Sequence, residues 1–442
     1  MRLAFVIFVL GLSGCGGGNP PLSTEQLRDP SSCAPCHPIQ YKQWSGSMHA
    51  YAAEDPVFRA MNARGQRLTN GALGSFCINC HAPVAVRLGL TRDGLDLDQV
   101  PTALRGITCY FCHSVERVTA DHGNALSLAT DGILRAGIVD PVRTDAHPSA
   151  YSALHDRQQK TAAGLCGSCH DVVTPTGVAL ERTYVEWKDS VYSHDNSREL
   201  RTCGKCHMPG TTGAAATTPG APIRLTHDHQ MAAVDTALGD WPEKQAQRAA
   251  VEDELRTALA SKLCVTPDGN DTKIAVTLDN VAAGHGFPSG ASQDRRAWVE
   301  LSAYKGASVI YQSGAVPEAE EIAASKDPDL WLLRDALTDG TGKPTHDFWE
   351  AAKVTSAQLP PSVTSDPSDP RYFHAVTRTY KAPGLPDRVT LRMRIRPFGL
   401  DVIDDLVASG DLDPSIRAKV PTFDLGSTVL EWNKGRGYGC VP

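Results

Sequence analysis

Cys33-Ala34-Pro35-Cys36-His37 decides how this chain is read, because its pattern returns four more times. The other copies are Cys77-Ile-Asn-Cys80-His81, Cys109-Tyr-Phe-Cys112-His113, Cys166-Gly-Ser-Cys169-His170 and Cys203-Gly-Lys-Cys206-His207. A C-x-x-C pair can bind zinc or exchange disulfides, but neither use needs a histidine at the next position. With 15 histidines in 442 residues, chance does not place one after each of five pairs. Cys-x-x-Cys-His is the attachment signature of haem c. One turn of chain presents both sulfurs to the two vinyl groups of one porphyrin, and the adjacent imidazole becomes the proximal iron ligand. The expectation is five haem c groups, held by these ten cysteines and ligated by His37, His81, His113, His170 and His207.

Ten further histidines compete for the opposite faces of the irons. His49 leads, twelve residues after His37 on an aromatic segment. His229, His147, His155, His227 and His285 follow, ahead of His122, His194, His346 and His374. Two axial histidines make a closed, low-potential iron suited to electron transfer, whereas an open position admits substrate. Methionine is scarce, at six residues, so mostly bis-histidine ligation is expected.

Thirteen cysteines leave three outside the motifs. Residues 1–14 read as a secretory signal: Arg2, a short apolar run and small residues before Cys15. Leu12-Ser-Gly-Cys15 looks like a bacterial lipobox, which would leave Cys15 lipidated at the start of a flexible tether, 15–32. The alternative is an ordinary secreted protein with a cysteine at its cleavage site. Such export places the rest of the chain in an oxidising compartment, where a disulfide between Cys264 and Cys440 is the plain expectation. The balance of 43 basic and 50 acidic residues gives −7, against a nucleic-acid partner.

Five motifs between residues 33 and 207 leave about 35 residues each, below what usually builds an apolar core without covalent or metal help. The haems themselves are expected to be the core of a domain over 33–235, wrapped by short helices and loops. A faint repeat supports this: Tyr41-x-x-Trp44-x-x-Ser47-x-His49 and Tyr184-x-x-Trp187-x-x-Ser190. Thr211–Pro222 reads as an Ala/Thr/Gly/Pro linker, and 236–263 as a connecting stretch with an amphipathic helix over Glu243–Lys262. Alternating runs around Ile274–Leu278, Trp298–Tyr304, Ser308–Gln312, Tyr372–Tyr380 and Val389–Ile395 predict antiparallel strands with a solvent side. The fold class is therefore α+β and multidomain: a helix-and-loop multihaem domain, then a β-sandwich-like domain over 264–442, with a helix at Phe398–Gly410.

Taken together, Cys33-x-x-Cys-His-x-x-x-Tyr-x-x-Trp-x-x-Ser-x-His49, Gly106-Ile-Thr-Cys-Tyr-Phe-Cys-His113, Leu165-Cys-Gly-Ser-Cys-His-Asp171 and Cys203-Gly-Lys-Cys-His-Met-Pro209 resemble the multihaem c-type cytochromes related to hydroxylamine oxidoreductase and its tetrahaem electron acceptor. His229-x-Met-x-Ala-Val-Asp235 is similar to a segment that supplies a distal histidine in that family. Gly284-His-Gly-Phe-Pro-Ser-Gly290 through Trp298 resembles the opening of a C-terminal β domain. The resemblance implies closely stacked haem pairs. Family enzymes carry a modified site, and five histidine-terminated motifs remove the lysine-ligated variant.

The expected function is electron transfer between redox partner proteins by an exported pentahaem cytochrome, lipid-anchored in a bacterial cell envelope. Two alternatives stay open. One is an oxidoreductase acting on a small nitrogen or sulfur compound at one open haem. The other is a subunit of a larger electron conduit.

Overall fold

The computed structural model describes residues 21–194 and 198–442. The expected signal peptide, Cys15 and residues 16–20 of the tether lie outside the described residues. The tether is shorter than expected: Thr24–Arg28 is a helix closed by a capping box between Ser23 and Gln26, and Pro30–Ser32 is a 3₁₀ turn leading into the first motif.

From Cys33 to Asp235 the chain makes short helices, two-stranded ribbons and loops. Its apolar side chains gather in small separate clusters, such as Ala53, Ile78, Ala82, Ala85, Leu97 and Val100, or Val84, Phe111, Val115 and Leu126. The longest helix here, Pro56–Leu68, starts on Pro56 behind the N-cap Asp55, whose carboxylate accepts from the Val57 and Phe58 amides. The Thr211–Pro222 stretch is not a free linker. Gly210–Ala214 and Ile223–His227 pair as an antiparallel ribbon, and the Thr217 amide donates to the Cys36 carbonyl at 2.9 Å.

The expected 243–262 helix stops earlier, at Lys244–Leu255. Ala260–Asp268 is already a strand, so Lys262 lies in a sheet. Two antiparallel sheets follow. The first runs Val376–Ala382, Asp271–Asp279, Ala260–Asp268, Gly439–Val441; the second runs Ser308–Ser313, Arg296–Lys305, Arg388–Arg396, Phe423–Asp424. Ile274 sits between Val265 and Tyr380 in the first, and Leu301 opposes Leu391 in the second. Inward residues of both sheets share one large apolar core. Cys264 and Cys440 oppose each other across neighbouring strands and are bonded.

The polar faces of the central strands are less exposed than their alternation suggests. Arg394 and Arg396 are buried, Arg394 among Glu300, Glu318 and Asp424, so ion pairing replaces water on that face. The predicted late helix is Leu400–Ala408. It does not stay within the β region: Val402, Ile403 and Leu406 pack with Val57 and Ala60 of the haem-motif region. Arg64 adds ion pairs to Asp347 and Asp405. Among the described residues no helix is long and apolar enough to cross a membrane.

Candidate haem-binding sites

Each motif folds as a single helical turn. The His37 amide bonds the Cys33 carbonyl at 2.8 Å, His81 bonds Cys77 at 3.2 Å and His170 bonds Cys166 at 3.0 Å; Cys109–His113 and Cys203–His207 are short helices. With 3.6 residues per turn, the histidine four places after the first cysteine returns to the same side. All ten motif cysteines and all five motif histidines line one cavity of ≈ 2940 Å³. That is several times an ordinary ligand pocket of ~300–1,000 Å³.

Across this cavity histidine rings stand in facing pairs. His37 faces His147 at 6.2 Å between ring centroids, and His170 faces His49 at 6.1 Å. His113 faces His229 at 6.4 Å, and His207 faces His285 at 6.5 Å. Two imidazoles on opposite sides of one metal atom need about this spacing: ~2 Å of metal–nitrogen bond on each side, plus about half a ring each. The second nitrogen of most of these rings is tied back. Nδ1 lies at 2.7 Å from the Ala215 carbonyl for His37, 2.8 Å from Ala52 for His81, 2.6 Å from Arg135 for His113 and 2.7 Å from Ala232 for His207. His229 and His285 make the same contact with the carbonyls of His227 and Gly286, both at 2.9 Å. Such contacts set the tautomer that leaves Nε2 to bind metal.

Burial, with neighbouring histidines adding to it, lowers the pKa of His49 to about 3 and of His285 to about 4. His113 also falls to about 4, mainly through burial, against the Arg135 carbonyl. All three are thus neutral, the form that ligates metal. His49 Nδ1 is buried without a protein partner. Facing imidazoles, paired thiols and a cavity of this size all fit haem c.

Two expected ligands do not stand ready. His155 is near His113 at 5.8 Å, but its Nε2 already bonds the Cys112 carbonyl at 2.8 Å. His227 faces no histidine ring among the described residues; its carbonyl orients His229 instead. His81 also differs. No described histidine pairs with it, and Phe58 stacks on the face of its imidazole at 3.8 Å and 3°.

The Tyr–Trp–Ser repeat builds two similar corners. Trp44 Nε1 donates to the Ile107 carbonyl at 2.8 Å and Trp187 Nε1 to the Arg201 carbonyl at 2.7 Å. Ser47 and Ser190 each cap the turn that follows. The aromatic segment carrying His49 forms two helices that break at Gly46, Pro38–Ser45 and Met48–Tyr51. Gly106 lets another strand of chain lie against this corner. Its φ is +71°, and a Cβ there would fall 2.7 Å from the His49 carbonyl oxygen. His194 sits beside Glu199 instead of in the cavity.

The sites also have an order that the sequence did not disclose. The Cys33 thiol lies against Cys109, Cys80 against Cys169 and Cys166 against Cys203, while Cys112 feels Cys166 and Cys169. Taken by motif number, the first site adjoins the third, the third adjoins the fourth, and the second and fifth both adjoin the fourth. One residue at the site went unforeseen: Glu181, 3.6 Å from His170 Nδ1. Thr174-Pro-Thr-Gly177 between two apolar runs is a hairpin signal that could have placed it under the fourth motif.

Residues 32–114 match the family model described as cytochrome c554 and c-prime. The solved penta-haem cytochrome c552 from Thermochromatium tepidum aligns with a TM-score of 0.63 at 20% identity, covering 93% of this chain and 98% of that one. Together they support a multihaem c-type cytochrome. The family match spans only the first three motifs, and at 20% identity the structural likeness is one of fold. No curated protein matches the chain.

Proposed function

We propose that this chain is an electron-transfer protein carrying five haem c groups, four of them held between two histidines. The carrying observation is the set of four facing imidazole pairs, at 6.1 to 6.5 Å. When bound, the haems supply reversible one-electron chemistry. The chain's own work is to fix most of the imidazoles by their second nitrogen, exclude water with short helices and ribbons, and hold the five sites in contact order. The two sheets act as a sandwich-like domain that contributes His285 and closes one side of the cavity. The relationship to hydroxylamine oxidoreductase and its tetrahaem acceptor belongs to the same reading, as do export and a lipid anchor at Cys15. Redox proteins are the partners. Since haem propionates add negative charge to −7, basic docking faces are expected, with association weakening as salt rises.

A second reading rests on His81, which no described histidine faces. A five-coordinate second site, next to the fourth, would admit a small ligand and make the protein an oxidoreductase for a small nitrogen or sulfur compound. Intact mass spectrometry of purified holoprotein tests the main reading: five covalent haems support it and fewer contradict it. Binding of carbon monoxide to the reduced native protein at one site per chain supports the second reading, and no binding removes it.

A further inference from the structure

We infer that Glu181 is a positioning residue that makes the fourth site the low-potential member of the set, by placing a carboxylate behind His170. The inference rests on the haem reading above. In the other four motifs the proximal Nδ1 meets a neutral backbone carbonyl, from Ala215, Ala52, Arg135 or Ala232. At His170 it meets the Glu181 carboxylate at 3.6 Å, an ion-pair distance. The cause is local. After His170 the chain turns back as a ribbon in which Val172 opposes Glu181, and this register aims the side chain under the motif it has just left. Glu181 is mostly shielded, at 14% side-chain exposure, so its charge is weakly screened. Arg295, a cation close enough to interact with Glu181, is already held by both carboxylate oxygens of Asp235. A carboxylate behind a ligating imidazole makes that imidazole a stronger donor, which favours the more positive, oxidised metal.

The fourth site is also where this matters most, because its cysteines touch those of the second and fifth sites and adjoin those of the third. A carboxylate there acts on every route between them.

The test uses full-length holoprotein and is helped by geometry. His49 and His170 cross at 85°, whereas the other facing pairs lie at 35° or less. Crossed imidazole planes give a low-spin paramagnetic-resonance signal distinct from that of near-parallel planes, so the fourth site can be followed individually during a redox titration. Glu181→Gln keeps the shape and removes the charge. The expected result is a shift of the crossed-pair signal alone toward easier reduction by at least about tenfold in the ferrous-to-ferric ratio, which is ~59 mV for one electron, together with a change in its g-values. Glu181→Asp restores part of both. An unmoved midpoint, or an equal drift of several sites with unchanged g-values, overturns the inference. Haem content by intact mass is measured on each sample; loss of covalent haem from the parent protein would instead overturn the underlying haem reading.

Discussion

His49 and His155 show what a single residue can and cannot disclose. Both are histidines in the right part of the chain. Both face a motif histidine and leave Nδ1 without a protein partner; His155 differs in spending Nε2 on the Cys112 carbonyl. The account predicts that His49→Ala converts one haem in five from low to high spin, whereas His155→Ala leaves the spin count unchanged. Optical and paramagnetic-resonance spectra of the two variants check this. The five motifs were legible because the Cys-x-x-Cys-His signature is written in five consecutive residues. The facing partners were not, because each pair joins remote segments: His37 with His147, His49 with His170, His113 with His229, His207 with His285. Glu181 was invisible for the same reason, since its role depends on the register of a ribbon.

At the level of elements, helix ends and close approaches hold the sites. Gly106 lies against the His49–Ala50 carbonyls at a positive φ. Gly106→Ala is expected to destabilise by ~1–3 kcal/mol and to broaden the crossed-pair signal, read by thermal unfolding and paramagnetic resonance. The Leu400–Ala408 helix is pinned at its first turn by Asp401, which bonds Arg296 at 2.6 and 2.7 Å and lies 3.5 Å from His346. Burial alone would raise the Asp401 pKa, but His346 and Arg296 outweigh it and hold the carboxyl well below its ordinary value of 3.8. The Asp401 contact, outweighing burial, raises His346 above its ordinary 6.5. The Asp401 contribution is therefore present above pH 3.8 and lost as pH falls through its folded pKa. The His346 contribution is present below pH 6.5 and lost as pH rises through its folded pKa. Their joint effect is greatest between these values. Asp401→Asn is expected to cost about 3 kcal/mol by leaving fully buried Arg296 short of a charge partner, and to flatten the pH dependence in denaturant titrations. The alternating strands were legible from their period. Their buried arginines were not, because alternation shows which residues are polar but not what covers them.

For the whole molecule, the change from short helices and Gly/Pro loops to two-residue alternation near residue 260 was legible. What the sequence did not show is how far the two interlock. The Leu400–Ala408 helix packs on Pro56–Leu68, and His285 enters the cavity from the β region. The Cys264–Cys440 bond spans a sequence separation of 176, and neither cysteine lines the cavity. Replacing both by serine is expected to lower stability by about 2–4 kcal/mol while leaving the haem spectrum unchanged, as calorimetry and absorption can check.

The central claim is that four sites are closed by paired histidines. Spin quantitation of the fully oxidised holoprotein by paramagnetic resonance tests it most directly. The account predicts at least four low-spin haems per chain; more than one high-spin haem would contradict it.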